Sequence, residues 1–261
     1  QKACSWMLKE QIINGGDWQV KNKNAAPGGW AFEFENDMYP DLDDSSEVIM
    51  ALDRVRLGGV AEDRKNEAIQ LGVHWLMSMQ SKNGGWGAFD KDNDKMYIAK
   101  IPFSDFGETL DPPSVDVAAH IVEMLGQLGY SKAFPPLKRA YKYIRDEQEE
   151  DGPWFGRWGV NYIYGTGAVL PALEAIGEDM GQPYIRRAVD WTVSHQNADG
   201  GWGESCGSYV DYSLRGKGPS TASQTAWAIL TLLAAGEESA HRKVGSATER
   251  GIRFLVEHQK A

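Results

Sequence analysis

Gln80-Ser81-Lys82-Asn83-Gly84-Gly85-Trp86 and Gln196-Asn197-Ala198-Asp199-Gly200-Gly201-Trp202 are one seven-residue pattern met twice. The pattern recurs more loosely elsewhere. Gln11, Gln80, Gln148, Gln196 and Gln259 each follow an aromatic residue by five positions: Trp6, Trp75, Tyr143, Trp191 and Phe254. A Gly-containing turn and a Trp follow four of these glutamines, at Trp18, Trp86, Trp154 and Trp202. The glutamines are spaced 48 to 69 residues apart, so the repeat is loose rather than a strict solenoid. Each copy reads as a helix C-terminus, a glycine turn and a Trp folded back onto the helix. A Gln amide at such an end can bond the backbone groups that the last helical turn leaves open. Aromatic anchors of this kind serve packing.

Helices are expected over residues 1–14, 64–80, 135–149, 182–196 and 238–259, each carrying one of the five repeat glutamines. Between them, residues 45–57, 114–128, 167–176 and 220–235 read as more apolar helices, with Ser114 as a cap and Pro171 near a first turn. Long connections (17–44, 81–113, 150–165 and 197–219) precede the apolar helices. Charged helices alternating with buried ones give an all-α chain of two concentric layers, an α/α barrel with outer and inner helices. The connections would then converge on one end, where a rigid scaffold presents functional loops.

Composition narrows the function. The chain has 261 residues, 42% hydrophobic and 25% charged, which suits a folded core. A net charge of −10 with no basic patch argues against a nucleic-acid partner. Two cysteines, Cys4 and Cys206, are too few for a disulfide framework and lack neighbours at zinc-ligand spacing. No apolar run reaches the roughly 20 residues that span a bilayer, and the start has no signal-peptide pattern.

The chemistry concentrates in Tyr39-Pro40-Asp41-Leu42-Asp43-Asp44-Ser45-Ser46. Three carboxylates stand in four residues directly before the helical pattern Val48, Ile49, Leu52 and Val55, with Asp44 or Ser45 as N-cap. Carboxyls held this close cannot all ionise easily, and a retained proton is what a general acid needs. An acidic capping cluster or a cation site would read the same way. His120 lies on an apolar helix one turn after Asp116, so the two share a face; a buried structural histidine would fit that position too. The remaining histidines, His74, His195, His241 and His258, read as surface residues. Asp90-Lys91-Asp92-Asn93-Asp94 begins like a calcium loop but has Lys95 where glycine is needed and lacks the distal Glu. There is no glycine-rich phosphate loop. The connections are dense in aromatic residues, and a set of π-faces around an acid suits the handling of carbocations.

Taken together, Gly28-Gly29-Trp30-Ala31-Phe32, Tyr39-Pro40-Asp41-Leu42-Asp43-Asp44, Asp111-Pro112-Pro113-Ser114-Val115-Asp116-Val117-Ala118-Ala119-His120, Trp154-Phe155-Gly156-Arg157-Trp158-Gly159-Val160-Asn161-Tyr162 and Ser223-Gln224-Thr225-Ala226-Trp227 resemble the squalene–hopene cyclase family. The Gln…Gly-x-Trp copies resemble the QW motifs of triterpene cyclases. The resemblance covers essentially the whole chain. It implies an α6/α6-type barrel over residues 1–261, the half of a two-barrel enzyme that holds the D-x-D-D acid, with the second barrel and the C-terminal end absent. It implies Asp43 as proton donor, with Asp41 and Asp44 as its carboxylate partners, His120 polarising the acid and Asp116 orienting His120. It implies Phe32, Trp158 and Tyr164 as cation-stabilising aromatics, Glu33 beside them where Gln is frequent, Phe89 where Tyr is familiar, and Phe103 with Ser104 at the substrate-channel constriction. The implied substrate is squalene, with no cofactor and no metal. The implied setting is the bacterial cell membrane, with monotopic attachment on the cytoplasmic side and a possible homodimer. Class II diterpene cyclases share the acid motif and take a Mg²⁺-dependent diphosphate substrate; a non-catalytic helical repeat protein would show no turnover.

Overall fold

The structure, a computed structural model, describes residues 2–101, 109–236 and 242–259. Nine α-helices occur among them: α1 (Lys2–Met7), α2 (Leu42–Asp53), α3 (Gly59–Ser78), α4 (Val115–Gln127), α5 (Pro135–Asp146), α6 (Tyr162–Ala175), α7 (Pro183–Ser194), α8 (Ala222–Ala234) and α9 (Arg242–His258). Among the described residues the β-pairings are isolated bridges, so the all-α expectation holds. The chain divides into two compact units, residues 1–143 and 144–261. In the first, α2 packs on α3 and on α4; in the second, α8 packs on α6, α7 and α9.

The expected alternation is present. In α4, Val115 to Ala119, Ile121, Val122, Met124 and Leu125 are buried, and in α6 Tyr162 to Leu170 are buried without a break. α3, α5, α7 and α9 carry charges of both signs, whereas the charged residues of α2 are all acidic and α6 and α8 are almost uncharged. α8 is less enclosed than its composition implies, because Leu230 and Leu233 are exposed.

The glutamine repeat explains how the layers are tied. The Gln11 amide donates to the Gly28 and Ala68 carbonyls, Gln80 to Gly84 and Pro136, Gln148 to Gly152 and Tyr184, and Gln196 to Gly200 and Ala247. Each glutamine thus closes its own glycine turn and holds the next odd-numbered helix. Arg139, Arg187 and Arg250 donate back to the Oε1 atoms of Gln80, Gln148 and Gln196. The indole N–H of Trp86, Trp154 and Trp202 donates to the carbonyls of Leu76, Ile144 and Thr192, ten residues earlier in every case.

The first copy departs from the sequence reading. Its tryptophan is Trp30, not Trp18. Gly28-Gly29-Trp30 occupies the place of Gly84-Gly85-Trp86, and the Trp30 indole donates to Met7. The intervening residues form an inserted loop with a short 3₁₀ turn at Asp17–Val20, which hid the match. Trp18 is buried in that insertion against Trp75, with ring centroids 6.0 Å apart and its own indole N–H unpartnered.

Helix starts also moved. The first helix ends at Met7 rather than near residue 14. α2 begins at Leu42 rather than 45, because Asp41, not Asp44 or Ser45, is its N-cap and accepts the Asp44 N–H at 2.9 Å. Ser114 stands at the N-cap of α4, but its hydroxyl makes no capping bond. α6 begins at Tyr162 rather than 167, which leaves Pro171 well inside the helix.

Candidate active site

Asp41, Asp43 and Asp44 owe their positions to the repeat. The Asp41 N–H donates to the carbonyl of Trp30 (2.8 Å), as the Ser114 N–H does to Trp86 and the Thr221 N–H to Trp202 (3.0 Å each). The buried Ser45 hydroxyl reinforces this, accepting the Trp30 N–H at 2.7 Å. Each QW tryptophan in these three copies therefore fixes the N-cap residue of an inner helix. In the first copy that residue belongs to the acid motif. The motif occupies the cap and first turn of α2, where the open N–H groups and helix dipole favour negative charge.

His120 reaches the cluster from α4. Its Nδ1 lies 2.6 Å from Asp43 Oδ1 and 3.9 Å from Glu47 Oε1. The Asp43 and His120 side chains are 23% and 18% exposed, so the pair is shielded without being sealed. Burial pulls the imidazole pKa down, but the Asp43 hydrogen bond and the charges of Asp43, Glu47 and Asp116 outweigh it and raise it to about 9. His120 is thus an imidazolium at neutral pH. Asp116 is fully buried one turn earlier on α4 and adds its negative field at the ring.

Two of the three carboxyls are pushed above the ordinary carboxylate range. Burial first, and then the charges of Asp44 and Asp43, raise Asp41 to about 7 against the pull of its backbone hydrogen bonds. Asp44 is raised too, by burial and by Asp43. Such a cluster combines a proton held near neutrality with a cation placed to receive the charge that its loss leaves behind.

Phe89 is joined to this site through the backbone. The Leu42 N–H donates to the Ala88 carbonyl at 2.8 Å. The buried Asp111 carboxylate accepts the N–H groups of Ala88 (3.1 Å), Phe89 (2.7 Å) and Asp90 (2.7 Å). Asp111 was not singled out from the sequence. An acid before Pro-Pro carries no local sign that it will hold a turn twenty residues upstream.

Phe32 is 74% exposed and Glu33 is also exposed, in the first unit. Trp158 is 50% exposed and Tyr164 9%, in the second. Phe103 and Ser104 lie outside the described residues. In the calcium-like stretch, Asp90 accepts from Asn93 at 2.7 Å, and Asp92 accepts the Lys82 N–H at 2.8 Å. Among the described residues no group of three His, Cys, Asp or Glu side chains could hold a metal, and no helix is long and apolar enough to cross a membrane.

A second buried acid also escaped the sequence reading. Glu204 Oε2 accepts the N–H groups of Asn161 (3.3 Å) and Ile163 (3.0 Å) at the start of α6. A carboxylate some forty residues downstream therefore caps this helix, and for that reason its true start was not legible.

Comparison with known proteins fits this geometry. Residues 1–261 match the family described as squalene-hopene cyclase C-terminal domain. The squalene–hopene cyclase of Alicyclobacillus acidocaldarius is 52% identical over 99% of this chain and 40% of its own length. That of Zymomonas mobilis is 48% identical over 98% and 39%. The dammaradiene synthase of Dryopteris crassirhizoma is 46% identical over 100% and 40%. The chain thus spans about 40% of the length of these curated relatives. The type II terpene cyclase MstE from Scytonema shares the α/α-barrel fold, with a TM-score of 0.61 at 21% identity over 93% of this chain and 62% of that one. On these matches, the chain belongs to the squalene–hopene cyclase family of terpene cyclases.

Proposed function

We propose that this chain is the acid-bearing part of a longer cyclase that converts squalene to a hopene-type pentacyclic triterpene. One observation carries the reading: a three-carboxylate cluster at a helix N-terminus is hydrogen-bonded to a partly buried imidazolium. An ordinary carboxylic acid, with a pKa about 3.9, is far too weak to protonate an alkene efficiently. Here Asp43 accepts the His120 N–H on Oδ1, and its other oxygen delivers to the alkene a proton drawn from the carboxyl cluster. Loss of that proton leaves a carboxylate stabilised by the imidazolium and the α2 dipole. The proton adds to a terminal double bond, and the resulting tertiary cation is attacked in turn by the remaining double bonds. Phe32, Trp158 and Tyr164 stabilise the moving charge through cation–π contacts worth roughly 0.5–2 kcal/mol each. Final loss of a proton, or capture of water, ends the cascade. The chain's own groups supply the acid, so no step requires a metal.

Squalene partitions into bilayers, so we place the full-length enzyme at the membrane surface rather than across it. Purified full-length protein, supplied with squalene in detergent micelles, should yield pentacyclic product by gas chromatography–mass spectrometry, and the Asp43→Asn variant none. Cyclisation of a prenyl diphosphate instead of squalene would assign the site to the diterpene class, and no turnover of either would leave a scaffold.

A further inference from the structure

Trp158 sits in a loop between two glycines, half exposed, yet its position is fixed from outside the loop. The Tyr209 hydroxyl lies 3.1 Å from the Arg157 carbonyl and 2.6 Å from the Gly159 carbonyl, one residue to either side of Trp158. The Tyr209 ring packs edge-on against Phe155 at 5.6 Å, and Phe155 packs edge-on against Tyr162 at 5.7 Å. The strap carrying Tyr209 is itself anchored. Ser205 caps its first turn, and the buried Ser208 hydroxyl accepts from Asn161 at the start of α6. On its other side the loop lies flat on Tyr164: a Cβ added at Gly156 or Gly159 would come within 2.7 or 2.6 Å of the Tyr164 ring.

From this geometry we infer that Tyr209 is a positioning residue for the cyclisation: its hydroxyl clamps the backbone on both sides of Trp158 and holds that indole in register with Tyr164. The inference rests on the proposed cyclase activity, in which both rings face cationic intermediates. A cascade with several possible exits is sensitive to where each π-face stands, so loosening one ring diverts intermediates to earlier termination. Tyr209 need not touch substrate to have this effect.

The test compares two hydroxyl deletions on one strap in the full-length enzyme. Tyr209→Phe keeps the ring against Phe155 and removes only the clamp. Tyr212→Phe removes a hydroxyl that donates to the Glu149 carboxylate at 3.0 Å instead of to the carbonyls beside Trp158. With squalene, Tyr209→Phe should lower kcat about tenfold with KM little changed, and raise the share of products with fewer rings. Tyr212→Phe should leave the product ratio as in the parent enzyme. Amide hydrogen exchange should quicken over residues 156–161 in Tyr209→Phe and nowhere else. An unchanged product ratio, the same change in both variants, or fast exchange throughout Tyr209→Phe would each overturn the inference. A parent enzyme inactive on squalene would instead overturn the activity itself, with the exchange comparison still deciding whether Tyr209 clamps the loop.

Discussion

Asp43 Oδ1 and His120 Nδ1 stand 2.6 Å apart across 77 residues of chain, on the first turn of α2 and the second turn of α4. The contact places a cation against one carboxyl of the acid motif. Burial by itself would keep His120 neutral. Replacing Asp43 with Asn should remove squalene turnover by about 10³-fold or more, the upper range for losing a general acid. The variant also loses the partner that raises His120, so its melting temperature should fall at neutral pH, while the fold is kept. Turnover assays beside melting curves check both halves of the expectation, and an active Asn variant would place the donor elsewhere.

His120 makes a separate expectation possible. In His120→Gln the amide can still hydrogen-bond Asp43 but carries no charge. Turnover should fall about 10- to 100-fold, less than for Asp43→Asn, because the proton is still present while the charge that eases its departure is gone. Equal losses in the two variants would mean that the imidazolium is as indispensable as the carboxyl itself.

The pH dependence of stability follows from two raised groups. Asp41 titrates near 3.8 unfolded and about 7 folded, so its contribution is full below pH 3.8 and is lost as pH rises through about 7. His120 titrates near 6.5 unfolded and about 9 folded, so its contribution is full below pH 6.5 and is lost as pH rises through about 9. Both groups bind more protons in the folded state over these windows, so both make unfolding easier as the solution becomes more alkaline. Melting temperature should therefore decline from pH 5 to pH 9, and Asp41→Asn should flatten the part below 7. A variant whose curve parallels the parent below pH 7 would show that Asp41 is already ionised there.

Much of this was legible in the sequence, and what was not has a common cause. The all-α character, the later copies of the Gln–turn–Trp repeat and the apolar stretches of α4 and α6 are local patterns, and these stand in the structure. The pairing of His120 with the acids followed from the resemblance rather than from spacing. What escaped were partners distant along the chain: Glu204 capping α6, Asp111 holding the Phe89 turn, and Trp30 completing the first repeat after an insertion. No rule of local periodicity connects such residues.

The misread first repeat yields its own expectation. Trp30 and Trp18 are both about 3% exposed, but only the Trp30 indole N–H has a partner, the Met7 carbonyl at 2.7 Å. Trp30→Phe should destabilise the protein by the lost hydrogen bond plus the lost ring volume, about 2–3 kcal/mol. Trp18→Phe loses similar volume but also removes an unsatisfied buried donor, so its cost should be smaller, about 1 kcal/mol or less. Denaturant midpoints of the two variants decide the matter. The reverse order would restore Trp18 as the anchor of the first repeat.

Glycine in the repeat turn answers to two constraints, and a pair of substitutions separates them. Gly84 has φ +97° and Gly129 has φ +85°, so alanine is strained at either site. A Cβ at Gly129 would meet nothing within 4 Å, whereas one at Gly84 would lie 2.6 Å from the Arg139 carbonyl oxygen. The Gly28, Gly152 and Gly200 positions repeat the second relationship, each with its missing Cβ pressed against the backbone of the next odd-numbered helix at Leu71, Arg187 and Arg250. Gly129→Ala should then cost about 1–2 kcal/mol, the conformational strain alone. Gly84→Ala should cost clearly more, because α5 must move off the turn and loosen the Gln80 bonds to Gly84 and Pro136. Equal costs would show that the turn needs glycine for its conformation only, and that the close approach of turn to helix is incidental.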